Sequence, residues 1–284
     1  MSISKTPSSS ALWVVATPLG NPGDLSPRAA EVLSGCDFVL AEDTRRAGLL
    51  FKNLDIKAGE LLSFHEHNEE KRMHRVADRI QAGENCALIS DAGTPLMADP
   101  GYRLVRHCRE SGIRVVPIPG PCSFVAALTA SGLPPYPFAF LGFLPRKPAE
   151  LEKVFKNWQE MPATLVFFER KNRVQSTLDK AYRVLGNREF CLARELTKTF
   201  EEFIRGRLDR IELDQDSLRG EITVIIGPPD PADLTKDAEN VKDLITRYLE
   251  QGLLPRDVVR EVRKEAKGWS GKDIYALMQD IRSR

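Results

Sequence analysis

Four short stretches bring glycine, proline and small polar residues together so that main-chain N–H and C=O groups stand beside a hydroxyl or a carboxylate. They are Thr17-Pro18-Leu19-Gly20-Asn21, Glu42-Asp43-Thr44-Arg45, Ser90-Asp91-Ala92-Gly93-Thr94-Pro95 and Pro119-Gly120-Pro121-Cys122-Ser123. Taken singly, each is ordinary turn chemistry. Each also follows a short apolar run, and open α/β sheets bind ligands in the loops beyond their strands, so the four could ring one crevice. Other chemistries lack their signatures. No two glycines stand two apart, which removes G-x-G-x-x-G, and neither G-x-x-x-x-G-K-[ST], G-x-S-x-G nor H-E-x-x-H occurs. His65-Glu66-His67 on a strand would put two imidazoles on one face, where they could ligate a metal. No further ligand cluster accompanies them, so a surface or RNA-facing pair without metal is expected.

The elements that must position these loops follow from hydrophobic period. Apolar runs at Leu12–Ala16, Phe38–Ala41, Asn85–Ser90 and Ile113–Pro117 alternate with helical segments at Asn68–Ala82, Tyr102–Ser111 and Cys122–Ala130, and Ser26-Pro27 reads as a helix N-cap and first position. A second set follows: strands over 138–141, 163–168, 190–193 and 221–226, with helices over 149–159 and 172–185. This is an α/β chain of parallel strands and helical crossovers. Expected boundaries are a disordered N-terminus over 1–10, an N-terminal α/β domain over 11–118, a C-terminal α/β domain over 119–228 and a helical tail over 236–284, with the PPDPAD run as linker.

In that tail, Val258, Val259, Val262 and Ala266 share a helix face, Gly268-Trp269 makes a turn, and Ser270 with Asp273 has capping-box spacing before a second helix. The pair resembles a helix-turn-helix. From residue 254 onward there are 8 basic and 5 acidic residues, a modest bias that suits either a nucleic-acid contact or a plain helical hairpin.

The whole chain has 284 residues, enough for two domains, with 41 basic against 40 acidic residues, so any nucleic-acid partner must be bound locally. Five scattered cysteines suggest neither a disulfide framework nor a zinc site. No apolar run is long enough for a membrane span, and the polar start lacks a secretory apolar core, so a cytoplasmic protein without membrane contact is expected.

The segments VATPLGN, AEDTRRAGLL, SFHEHNE, LISDAGTPLMADPGYRLVR, VVPIPGPCS, GFLPRK, FFERKNRV, ARELTKTFEEFIRG and GEITVII closely resemble the bacterial ribosomal RNA small subunit methyltransferase I family, within the tetrapyrrole methylases. The match runs in order over roughly residues 11–227. Superfamily members acting on porphyrin-like rings carry G-D-P-x-x-Y-G where this chain has SDAGTP, which favours the RNA branch. The resemblance implies two α/β domains with S-adenosyl-L-methionine (SAM) in the cleft between them, a small helix-turn-helix-like C-terminal domain, and a homodimer. It further implies metal-free methylation of a cytidine ribose 2′-hydroxyl in the decoding centre of 16S rRNA, within the small ribosomal subunit.

By the same resemblance, SAM is held largely by main-chain groups. The expected ligands are Thr17, Pro18, Gly20, Asn21, Ser90, Asp91, Ala92, Gly93, Thr94, Pro95, Pro119, Gly120, Pro121 and Ser123. Candidate catalytic groups, each at or just past a strand end inside a family motif, are Glu42, Asp43, Arg45, Glu169, Arg194, Glu195 and Lys198. A carboxylate among them could accept the 2′-OH proton, and Arg194 or Lys198 could favour the developing alkoxide or bind a phosphate. The competing assignment for Arg45, Glu169 and Glu195 is interdomain ion pairing. Phosphate contacts are sought in Arg45-Arg46, Arg146-Lys147, Arg170-Lys171 with Arg173, and Arg260, Arg263, Lys264 and Lys267, with Phe64, His65, Phe143 and Trp269 as stacking or packing groups. Two other functions fit parts of the sequence: a same-fold methyltransferase for a tetrapyrrole or other small molecule, and a ligand-sensing regulator that binds DNA through its tail.

Overall fold

A computed structural model describes residues 10–213, 220–229, 231–266 and 269–282. In chain order the elements are β1 (Leu12–Val15), α1 (Pro27–Gly35), β2 (Phe38–Ala41), α2 (Thr44–Asn53), β3 (Glu60–Ser63), α3 (Glu69–Gln81), β4 (Cys86–Leu88), α4 (Tyr102–Glu110), β5 (Val115–Ile118) and α5 (Ser123–Ala130). There follow β6 (Phe138–Phe143), α6 (Pro148–Trp158), β7 (Thr164–Arg170), α7 (Val174–Leu185), β8 (Glu189–Arg194), β9 (Glu202–Arg207), β10 (Glu221–Ile226), α8 (Pro231–Glu250), α9 (Pro255–Glu265) and α10 (Gly271–Arg282). Two compact units result: Met1–Gly132 with Leu192–Phe203 and Arg219–Thr223, and Leu133–Cys191 with Ile204–Leu218 and Val224–Arg284. Pro119 therefore lies inside the first unit, where its turn packs tightly on β1: a Cβ on Gly120 would stand 2.9 Å from Ala16 Cβ.

The first unit is built on a parallel sheet of order β3-β2-β4-β1-β5. Alternation along each strand divides its apolar residues between two cores. Trp13, Val15, Val39, Ala41, Ala87 and Ile89 pack with Val32 and Leu33 of α1 and Ala47 and Phe51 of α2. Leu12, Phe38, Leu40, Cys86 and Leu88 pack with Val76 and Ile80 of α3 and Leu104 and Cys108 of α4. Each large side chain so buried contributes roughly 1.5–3 kcal/mol. Ser26 caps α1 as its sequence predicts, accepting from the Ala29 amide at 3.1 Å, with Pro27 at the first position. The N-terminus of α4 follows Gly101, which has no side chain to cap it; Glu69 of α3 does so instead, accepting from the Leu104 amide at 3.1 Å.

The second sheet has the order β6-β7-β10-β8-β9, with β6 and β7 parallel. Behind it Arg188, 1% exposed, ties helix ends together: its guanidinium donates to Leu185 O at 3.3 Å, Gly227 O at 3.5 Å and Gln159 O at 2.6 Å. Burial pulls its pKa down to about 10, and the negative ends of α6 and α7 supply the compensating field. The tail is a three-helix unit in which Val241 and Ile245 of α8 join Val258, Val262, Ala266, Ile274 and Met278. Ser270 accepts from the Asp273 amide at 3.1 Å, as the capping spacing predicts.

Four elements depart from the sequence expectation. Residues 231–233, assigned to the linker, open α8, with Pro231 at a position where proline's missing N–H costs nothing. The charged run after β2 is a helix, α2, capped by Asp43. β3 and β9 were not expected, because β3 is a half-exposed sheet edge without β-branched residues and β9 is interrupted by charge. Residues 1–9 of the N-terminus expected to be disordered over 1–10, Lys267, expected at the end of the first tail helix, and Gly268 of the Gly268-Trp269 turn lie outside the described residues. Among the described residues no helix is long and apolar enough to cross a membrane.

Candidate active site

The four loops do meet, all within the first unit, at the C-terminal ends of adjacent strands. Thr17 and Gly93 form a two-way bridge, Thr17 N to Gly93 O at 2.8 Å and Gly93 N to Thr17 O at 3.0 Å. The fully buried Thr17 hydroxyl is shared between Ser90 O at 3.3 Å and Gly93 O at 3.4 Å, and Ser90 Oγ donates to Ala92 O and Gly93 O, both at 3.3 Å. Thr94 Oγ1 donates to Pro121 O at 2.9 Å. Asp91 accepts from the Asp43 amide at 3.2 Å and from Arg46 at 3.0 Å, fastening the β2 exit to the β4 exit. Arg46, which the sequence offered as a phosphate contact, thus holds a loop expected to bind cofactor.

Side-chain bulk is kept out of this rim. Gly93 takes φ +81, and a Cβ there would approach Leu19 to 3.0 Å. Leu96 and Ala98 adopt φ of 71 and 72 in the same loop, a left-handed conformation costly for such residues and concentrated at ligand sites. A wall of small residues and main-chain dipoles suits an adenosine and an amino acid better than a polyphosphate or metal. The residues therefore fit SAM, and no group of three metal-binding side chains occurs among the described residues.

A strap from the end of β8 lies on the first loop. Thr197 Oγ1 accepts from the Asn21 amide at 3.1 Å, and Lys198 covers Gly20 so closely that a Cβ there would fall 2.3 Å from Lys198 Cγ. Glu195 and Thr197 have φ of 50 and 65, so the strap is itself strained. Thr197 was missed in the sequence, where nothing marks a threonine between Leu196 and Lys198 as a loop contact.

The candidate catalytic residues are mostly paired. Asp43 caps α2 and grips Arg45 at 2.8 Å, which holds its carboxyl well below the usual carboxylate range. Arg194 meets Glu202 at 2.6 Å, and Lys198 meets Glu195 at 3.0 Å, both within the first unit. Glu42 is exposed at the β2 exit. Glu169 belongs to the second unit, 1% exposed, and accepts from Thr177 Oγ1 at 2.8 Å and the Arg170 amide at 2.9 Å with Arg173 3.4 Å away, so it anchors α7. His65 and His67 lie in the turn after β3, rings 5.9 Å apart, and His65 is 3.0 Å from Asn68 Nδ2 through Nε2.

Residues 11–212 match the family model of the tetrapyrrole (corrin/porphyrin) methylases. Solved structures of like fold include the methyltransferase CobJ, 17% identical with a TM-score of 0.61 over 78% of this chain and 95% of that one. Another is uroporphyrin-III C-methyltransferase from Thermus thermophilus complexed with S-adenosylhomocysteine, 19% identical with a TM-score of 0.56 over 77% and 97%. The match to the family model, with the fold, makes the chain a SAM-dependent methyltransferase of the tetrapyrrole methylase class. The chain is 42% identical over 268 residues to ribosomal RNA small subunit methyltransferase I of Micromonospora olivasterospora, covering 92% of this chain and 85% of that one. It is 41% identical over 271 residues to the protein of that name from Escherichia coli O157:H7, covering 93% of each. The chain belongs to the ribosomal RNA small subunit methyltransferase I family.

Proposed function

We propose that the chain transfers a methyl group from SAM to ribosomal RNA of the small subunit, at the 2′-hydroxyl of a cytidine ribose in the decoding centre, and that it works in the cytoplasm as a homodimer. The observation carrying this reading is similarity to ribosomal RNA methyltransferases across more than nine-tenths of the chain, tail included. Bound SAM supplies a methyl group made electrophilic by a positive sulfonium. The rim residues Thr17, Pro18, Gly20, Asn21, Ser90, Asp91, Ala92, Gly93, Thr94, Pro95, Pro119, Gly120, Pro121 and Ser123 hold it through main-chain groups. Fixing donor and acceptor in line removes translational and rotational freedom, worth up to about 7–11 kcal/mol in well-oriented systems.

The hydroxyl proton passes to a carboxylate at the β2 exit. Asp43, held ionised by Arg45, is a weak base, so Glu42 is the better acceptor of the two. Arg194 and Lys198, each already matched by a carboxylate, hold the strap and offer positive charge to the phosphate next to the acceptor.

The test is transfer of labelled methyl from SAM to small subunits prepared without this enzyme, beside free 16S rRNA, followed by nuclease digestion. Label in 2′-O-methylcytidine at one site is expected. Label in another nucleoside, or none despite SAM binding, overturns the acceptor, and a tetrapyrrole or other small molecule then becomes the candidate.

A further inference from the structure

In the second unit β6 and β7 run parallel and each passes through a basic loop into a helix, Arg146-Lys147 before α6 and Arg170-Lys171 before α7. The register between them shifts from Phe140 to Phe143, giving β6 one extra residue, and Gly142 takes φ +62 with open space about it. A bulge of this kind re-aims a strand end. Here it leaves Phe143 45% exposed while its ring still packs on Phe168 at 5.3 Å between centroids, and Phe168 on Phe140 at 5.1 Å. A cluster of three rings therefore ends at an open aromatic face.

Basic residues follow closely on both strand ends. Arg173 donates to Pro145 O at 2.9 Å while pairing with Glu169, which pins the two basic loops side by side. Lys147 is offset by Glu150 at 3.0 Å. Arg146, Arg170 and Lys171 are exposed, and among the described residues none of them has a carboxylate partner. The N-cap residues of α6 and α7 are Lys147 and Arg173, neither making a side-chain cap hydrogen bond. Helix starts prefer Asn, Asp or Ser, and positive charge opposes the helix dipole there. Two such starts beside unmatched arginines and a lysine form a surface short of anions.

We propose that this edge docks a single-stranded RNA segment, one base stacked on Phe143 and the flanking phosphates held by Arg146, Lys147, Arg170 and Lys171. The assignment rests on the RNA acceptor proposed above and adds where a neighbouring stretch of that RNA is gripped. Stacking with backbone neutralisation is how single strands are held without reading sequence. An acidic peptide would satisfy the cations but leave the open ring without a partner.

The experiment measures binding of a short fluorescent pyrimidine-rich RNA by the full chain across a salt series, with SAM affinity and the thermal unfolding midpoint as controls for folding. Phe143→Leu, which keeps apolar packing and loses the π face, should weaken binding on the order of tenfold with the salt slope unchanged, and Phe143→Trp should restore it. The triple variant Arg146→Ala, Arg170→Ala, Lys171→Ala should flatten the slope by about 0.7 for each phosphate it no longer neutralises. Wild-type affinity and slope in the triple variant overturn the proposal, as does displacement of the RNA by polyglutamate with Phe143→Leu indistinguishable from wild type. Methyl transfer to small subunits separates the two readings. RNA held through these residues but never methylated leaves the platform standing and removes the acceptor, whereas methylation with an unchanged KM in every variant keeps the acceptor and removes the platform.

Discussion

Thr94 donates its hydroxyl to the carbonyl of Pro121 at 2.9 Å, joining the exits of β4 and β5, two strands that β1 separates in the sheet. The bond is made by a side chain, so it can be deleted without altering either backbone. A neutral hydrogen bond contributes about 1 kcal/mol net. Thr94→Val should therefore weaken SAM binding about fivefold by calorimetry, with little change in the unfolding midpoint. Unchanged affinity would remove the β4 and β5 exits from the donor site.

Gly20 must be glycine because Lys198 lies on it, not because of its own backbone angle. A Cβ would stand 2.3 Å from Lys198 Cγ, so Gly20→Ala should lift the strap and break the hydrogen bond from Asn21 to Thr197. Methyl transfer is expected to fall on the order of tenfold. Adding Lys198→Ala removes the clash and should recover part of the loss, unless the ammonium itself is essential. A double variant worse than either single one would show that Lys198 acts on substrate directly.

The positions of the four loops were legible because each follows a buried apolar run that tolerates little besides a strand, and their glycines and prolines mark where it stops. Their mutual bonds were not. Arg46 to Asp91, Glu69 to the α4 amide and Thr197 to Asn21 each join residues distant in sequence, with no periodicity linking them. Polar pairing of this kind is set by tertiary geometry. The same limit applies to Glu169, which stands at a strand end as a catalytic carboxylate would, yet whose partners Thr177 and Arg173 become visible only once α7 folds back over it. β3 and β9 escaped detection because edge and charged strands bury too little to leave a strong pattern.

Arg188 stabilises the second unit as a cation shared among carbonyls. Arg188→Met keeps the volume but leaves Leu185, Gly227 and Gln159 carbonyls without that donor. Each unmet buried carbonyl costs roughly 1–3 kcal/mol, partly offset because no charge is then desolvated. Chemical denaturation should show a net loss of about 2–4 kcal/mol with SAM affinity retained in the folded protein. A stability equal to wild type would mean that the charge and its bonds cancel.

Cys122 reports on the donor site through its exposure. It is half-buried at the start of α5, next to Pro121, whereas Cys36, Cys86, Cys108 and Cys191 are buried. Burial pushes the Cys36 thiol up to about 12 and those of Cys108 and Cys191 up to about 11, so thiolate at these positions is scarce at pH 8. A thiol reagent should therefore modify one cysteine quickly in the native protein and the other four only on unfolding, with peptide mapping placing the fast site at Cys122. Since the Pro119–Ser123 turn is proposed to hold SAM, saturating SAM should slow that reaction several-fold. Fast labelling at Cys122 that ignores bound SAM would place the donor away from this turn, while slow labelling of all five would mean that the turn is closed before the donor arrives.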